Sequence, residues 1–178
     1  MKHQAIYSFV PVVFFAFLVL FNAPEITGTG YFFVSPGDLT PKSSGCGFIN
    51  WGASLDPEIE CDFYSGNLQF PDGARITELK LFYKDTSDQD MVVQFTANHL
   101  DDSSDTLESV TTSGNYNVAT STAKPTSIYM PPIGTYSYFV HGLFQPNIRF
   151  YGLRIKFEYT IPWYALPMYL PIIMRGQN

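Results

Sequence analysis

The chain has 178 residues and a formal net charge of −6, with aromatics at 17% and charged residues at only 15%. That length fits one domain plus extensions, and abundant Tyr and Phe favour strands over helices. The few Lys and Arg form no run, which excludes a nucleic-acid binder because phosphate contacts need clustered cations.

The N-terminus starts MKHQ and continues as an apolar run over 5–23. A short basic start before an apolar core is the layout of a secretory signal peptide. The run also approaches the ~20 residues that span a bilayer, so a retained hydrophobic helix, a membrane anchor, is the alternative. Gly28-Thr29-Gly30 offers small residues for cleavage before Tyr31, which assigns 1–30 to this segment. Either way the remainder is expected to be exported, extracellular or at the cell surface, touching membrane only through that segment if it stays uncleaved.

Cys46 and Cys61 are the only cysteines. In an oxidising compartment an isolated pair forms a disulfide, and closing a loop of about 15 residues stabilises by ~3 kcal/mol in the chain-entropy picture. A redox pair or metal site is disfavoured, since neither CxxC spacing nor accompanying histidines are present. No Asn-x-Ser/Thr sequon occurs.

Residues 31–34 read as a short first strand and 35–45 as a Pro/Gly/Ser loop. Residues 47–51 read as a strand or as part of the excursion bounded by the two cysteines, and 63–70 as a strand. Pro71-Asp72-Gly73 is turn chemistry: Pro presets φ, Asp bonds its local backbone, and Gly tolerates positive φ. Beyond it Leu79, Leu81 and Tyr83 alternate with Glu78, Lys80 and Lys84, with Phe82 the exception on the polar face. Met91, Val93, Phe95 and Ala97 alternate in the same way. A period of two puts one row of each strand in the core. The two strands either pair directly or cross between sheets. Further strands are expected at 106–112, 117–122, 127–130 and 135–144. The last strand opens at Asn147, with Tyr151, Leu153, Ile155, Phe157 and Tyr159 on one face and Arg154, Lys156 and Glu158 on the other. Eight or nine short strands with regular turn signals predict an all-β, antiparallel, jelly-roll-like β-sandwich over 31–160. From 161 to 178 the chain is apolar, acid-free and punctuated by three prolines, which exclude a helix or a central strand. This arm either straps across the sandwich or docks on a neighbour through Trp163, Tyr164, Met168, Tyr169 and Leu170.

The segments LQFPDGARITELKLFYKDTSDQDMVVQF, TLESVTTSGNYNVATS, YSYFVHG and IRFYGLRIKFEY resemble a recurrent bacterial secreted domain. Its members carry a Leu-Pro-x-Gly-Ala-x-Ile-Thr turn and strand, an aromatic run ending in Asp, a Tyr-Ser-Tyr strand and a closing Gly-x-x-Ile-x-Tyr strand. These correspond to 70–77, 81–85, 136–138 and 152–159, with Phe70 in place of the usual Leu and Pro131-Pro132 in place of an Asp-Asn. The resemblance covers about 63–159 and implies no known activity or catalytic residue. The closing Tyr-Leu-Pro-Ile-Ile-Met-Arg is similar to an ending found on otherwise different exported bacterial proteins, which implies a surface or sorting role.

Catalytic patterns are missing from the sequence. No Gly-x-Ser-x-Gly occurs, and His99 and His141, each near a strand end, lack a third ligand partner at metal spacing. Asp85, Asp88 and Asp90 share one loop and Asp101, Asp102 and Asp105 another. The first trio is the calcium candidate, because calcium favours clustered oxygens, although both loops lack the glycine-punctuated pattern. Simple up-and-down pairing puts the two loops at opposite ends. Trp51, Tyr129, Tyr136, Trp163 and Tyr164 are candidates for stacking on sugars, and Trp163 and Tyr164 lie outside the last strand. The expected function is a non-enzymatic exported subunit that self-associates or joins surface and envelope proteins. An extracellular carbohydrate-binding module, assisted by calcium or not, is the alternative. Apart from calcium no cofactor is expected.

Overall fold

The structure is a computed structural model and describes residues 24–99, 101, 103–114, 117–125, 128–130 and 136–162. Twelve strands occur among them. They are β1 (Glu25–Val34), β2 (Leu39–Pro41), β3 (Phe48–Asn50), β4 (Leu55–Pro57), β5 (Cys61–Ser65) and β6 (Arg75–Asp85), then β7 (Val92–His99), β8 (Ser104–Thr111), β9 (Val118–Ala123), β10 (Ile128–Tyr129), β11 (Tyr136–Phe144) and β12 (Ile148–Pro162).

Two antiparallel sheets form a sandwich. One has seven strands in the order β10-β6-β12-β4-β3, with β1 also on β12 and β9 also on β6; the other has five in the order β2-β5-β11-β7-β8. The strands β6 and β7 therefore cross between sheets rather than pair. Alternation holds where it was strongest. Leu79, Leu81 and Tyr83 are buried on β6, as are Met91, Val93, Phe95 and Ala97 along β7. On β12 the inward row is Leu153, Ile155 and Phe157, but Tyr151 leaves it. The register against β6 slips between Phe150 and Gly152, so Tyr151 is an extra residue in a bulge and only half-buried.

Rings from both sheets meet in two clusters. At one end Phe48, Phe63, Phe144 and Phe150 pack edge to face in series, with centroids 5.1, 5.0 and 5.2 Å apart. At the other, Phe70 enters from the turn segment and touches Phe32, Phe157, Phe95 and Tyr138 at 5.4–5.9 Å. Such tilted and edge-on pairs add about 0.5–1.5 kcal/mol each beyond area burial.

Several bounds differ from expectation. The first strand begins at Glu25, not Tyr31, and pairs with β12 along its whole ten-residue length. A Cβ on Gly28 or Gly30 would collide with the rings of Tyr159 and Phe157, so these glycines make room for the core. Ile161 and Pro162 belong to β12, facing Ile26 and Glu25, so the arm starts at 163. Strand β2 falls within the expected loop over 35–45, and β4 falls where no element is expected, because three residues carry no period. The expected strand at 63–70 ends at Ser65, and Leu68 makes only a bridge to Tyr138. The expected N-terminal helix and the arm residues Trp163, Tyr164, Met168, Tyr169 and Leu170 lie outside the described residues. Among the described residues no helix is long and apolar enough to cross a membrane.

Cys46 and Cys61 are joined by a disulfide, which ties the loop before β3 to β5 across 15 positions. Replacing both by Ser is expected to lower unfolding free energy by roughly 3 kcal/mol, read by urea titration. Gly152 has φ +151°, and a Cβ there would run into the Phe33 ring. Gly152→Ala is expected to cost about 1–3 kcal/mol, and adding Phe33→Ala should return only part of it, since the backbone strain remains.

Candidate functional site

The hairpin formed by β3 and β4 holds its tip rigidly. The Trp51 N–H donates to the Ser54 carbonyl at 2.9 Å, and Gly52, at φ +79°, donates its N–H to Asn50 Oδ1 at 2.8 Å. The Asn50 amide in turn donates to the Pro36 carbonyl at 3.2 Å. Trp51 leaves this turn 65% exposed. Its indole N–H donates to Asp56 Oδ2 at 3.3 Å. Arg149, from the start of β12, grips both Asp56 oxygens, with Nε at 2.7 and 3.0 Å and Nη2 at 2.6 Å from Oδ2. That carboxylate, and then Tyr151, raise the Arg149 pKa above its ordinary value. The bulge thus places Tyr151 beside the guanidinium instead of in the core.

Next to this pair opens a cleft of about 260 Å³, lined by Asp56, Lys84, Thr86, Asn147, Ile148 and Arg149. Asn147 sits at φ +66°, and its carbonyl accepts hydrogen bonds from the Thr86 N–H at 3.0 Å and the Thr86 hydroxyl at 2.9 Å. The place combines a fixed exposed indole with a bidentate ion pair, an ammonium, an amide and a hydroxyl. Those are the donors and acceptors that read a polyhydroxylated ring, beside a surface on which its C–H face can lie.

A second polar group crosses the outer face of the five-stranded sheet. Register lines up Thr40, Tyr64, His141, Gln94 and Ser109 across its full width. The His141 ring stacks on Tyr64 at 4.7 Å and bonds Asp62 and Gln94, each at 3.3 Å. The Lys42 ammonium lies 5.7 Å from the Tyr64 centroid. Tyr64 is therefore engaged by His141, Phe139 and Lys42.

The expected calcium ligands do not converge. Asp85 is fully buried, and its Oδ1 accepts the Ser87 N–H at 2.9 Å, while Asp88 and Asp90 face solvent. Among the described residues no three His, Cys, Asp or Glu side chains gather as a metal site would require. His99 is paired with Asp105 at 2.8 Å and leans edge-on against Tyr136 at 4.6 Å. Of the stacking candidates, Trp51 is exposed and Tyr136 is half-buried; Trp163, Tyr164 and the side chain of Tyr129 lie outside the described residues. Sequence reasoning singled out Trp51 but missed Asp56 and Arg149. They stand 93 positions apart, and nothing in either neighbourhood marks the pairing.

No family model matches the chain, and no curated protein matches it. Solved structures do resemble it. A CBM6-3 module from Clostridium stercorarium, in complex with cellobiose, is 11% identical over 68% of this chain and 90% of that one, with a TM-score of 0.46. The CBM22-1–GH10 modules of a Clostridium thermocellum xylanase, complexed with xylohexaose, are 14% identical over 74% and 28%, with a TM-score of 0.45. Eiger TNF from S. frugiperda is 12% identical over 76% and 93%, with a TM-score of 0.36. At these values the likenesses carry no argument about function.

Asp56→Ala should free the indole. In a Trp163→Phe background, where Trp51 is the remaining tryptophan, time-resolved anisotropy is expected to show faster ring motion and stronger quenching by acrylamide. Unchanged anisotropy would mean that the turn alone holds the ring.

Proposed function

We propose that the protein is an exported carbohydrate-binding β-sandwich, and that glycans dock at Trp51 and the cleft beside Asp56 and Arg149. The observation that carries this reading is the state of Trp51: an aromatic side chain left in water, yet tethered in one orientation beside a polar cleft. Covering a large exposed ring with a ligand removes apolar surface from water and contributes to binding. A tether removes part of the ordering cost that a ligand would otherwise meet. The side chains around the cleft supply planar acceptors and donors rather than apolar contact, which suits a sugar better than a hydrophobic peptide. The Cys46–Cys61 disulfide supports an oxidising, extracellular setting.

Self-association is the second reading. Ile49, exposed and two positions before Trp51, gives the hairpin a second apolar side chain that a protein could cover. The arm from 163 onward would extend that role.

Affinity electrophoresis of the full chain through gels containing soluble cellulose derivatives, xylan and β-glucan is expected to show retardation by at least one polymer. Trp51→Ala should weaken that binding by about tenfold or more, while Tyr64→Ala on the outer sheet face leaves it unchanged. No retardation by any polymer would sink the glycan reading. Concentration-dependent dimerisation on gel filtration, lost on truncation after Pro162 or on Trp51→Ala, would then favour association.

A further inference from the structure

Phe82, the ring on the polar row of β6, lies on the outer face of the seven-stranded sheet, and the fold gathers around it cations that the sequence keeps far apart. In the β6–β12 register Lys84 faces Arg149, Lys80 faces Arg154, and Lys156 faces Glu78. Like charges directly opposite each other destabilise a sheet. Each arginine has a carboxylate of its own: Arg149 holds Asp56 at 2.6 Å, and Arg154 holds Glu78 at 2.8 Å. Arg75 and Glu158 close the strip with a pair at 2.8 Å. The lysines are left over. Lys80, Lys84 and Lys156 form no ion pair among the described residues, on a chain whose net charge is −6. Rings stand between these cations. Phe33, 44% exposed, covers Gly152 and lies 6.2 Å from Phe82. The Lys80 ammonium is 5.6 Å from the Phe82 centroid, and the Arg154 guanidinium is 5.2 Å from that of Tyr31. Thr120 and Thr122 of β9, both exposed, add hydroxyls beside Phe82 and Lys80. The strip begins at the Trp51 cleft, which Lys84 and Arg149 line.

Resting on the glycan reading above, we propose that the glycan is acidic, a polymer of uronic acid residues, and that it runs from the Trp51 cleft along this strip with its carboxylates on Lys84, Lys80 and Lys156. Lys80 and Lys84 stand four positions apart on β6, about 13 Å at ~3.3 Å per residue, with Phe82 between them. A uronate polymer has the matching layout, because it carries one carboxylate per ring and offers a C–H face to Phe33 and Phe82 between its charges. The lysine stems lie along the sheet and leave their heads in water, where they meet a carboxylate without being buried. A duplex nucleic acid carries one charge per ~1.7 Å and would press phosphates onto Glu78 and Glu158 as well as onto the lysines. The same carboxylates disfavour an anionic bilayer, which would cover the whole strip at once.

The probe is oligogalacturonate, with an oligogalactan of equal length as its uncharged counterpart, each titrated into the full chain by calorimetry. Oligogalacturonate is expected to bind about tenfold or more tightly than the galactan, and to weaken by roughly fivefold between low salt and physiological salt. Lys80→Gln combined with Lys156→Gln should weaken it about tenfold, and Lys156→Gln alone about threefold, as a second variant free of the Phe82 contact. Lys42→Gln removes the same charge from the other sheet and should change the affinity by less than about twofold. Equal affinity for the two oligomers, or equal losses in Lys42→Gln and Lys156→Gln, would overturn the acidic ligand. Tighter binding to single-stranded DNA or to phosphatidylserine vesicles would overturn it in favour of a phosphate-bearing partner. Retardation by a neutral polymer through Trp51, with no binding of oligogalacturonate, would overturn the acidic ligand and leave the glycan cleft standing. Failure of the glycan reading itself differs, because then no polymer binds, charged or neutral.

Discussion

Phe70 is the contact on which the spacing of the two sheets depends. It comes from a turn rather than from a strand. Yet it meets Phe32 and Phe157 of one sheet and Phe95 and Tyr138 of the other. Its placement follows from the turn beside it. The Ala74 N–H donates to the Pro71 carbonyl, and Gly73 and Ala74 exchange hydrogen bonds with Met130 at 2.8–2.9 Å. The backbone ahead of β6 is thereby pinned to the segment that follows β10, and the ring has one direction left to point. A Leu at this position would fill some of the volume but could not offer edges and faces to four rings at once. The same cluster holds Tyr138, whose ring lies against both Phe70 and Phe95.

The legible parts of the fold were those in which one physical rule acts over many residues. Strands β6, β7 and β12 are long enough for their alternation to show, and the buried rows are the ones that alternation marks. The rest escaped for identifiable reasons. Strand β2 is held by β5 and strand β4 by the neighbouring β3 and a single pairing to β12, and three residues cannot display a period. The packing role of Gly28 and Gly30 is likewise invisible locally: the rings of Tyr159 and Phe157 lie over them from a strand more than a hundred positions later. Tyr151 fits the inward pattern of its strand, and only the bulge removes it. The Asp56–Arg149 pair is the clearest case: neither residue stands in a motif, and it is chain topology that brings them together beside Trp51.

At the start of β12 the surface is polar and shallow, with charge held in a bidentate pair; pairs this exposed contribute little to stability, about 0–1 kcal/mol, so orientation is what the pair supplies. The outer face of the seven-stranded sheet carries cross-strand pairs of its own. There Arg154 lies under the Tyr31 ring at 5.2 Å and pairs with Glu78 at 2.8 Å, and Arg75 pairs with Glu158 at 2.8 Å.

The first and last strands are partners, with Glu25 opposite Pro162. Whatever precedes Glu25 and whatever follows Pro162 therefore leaves from a single corner. Arg149 lies thirteen positions back along β12, about 40 Å away at ~3.3 Å per residue. A tether at either terminus would hold the domain upright by the same corner and lift Trp51 clear of the attachment surface. Force applied between the two ends would open the β1–β12 seam one hydrogen bond at a time rather than shear it.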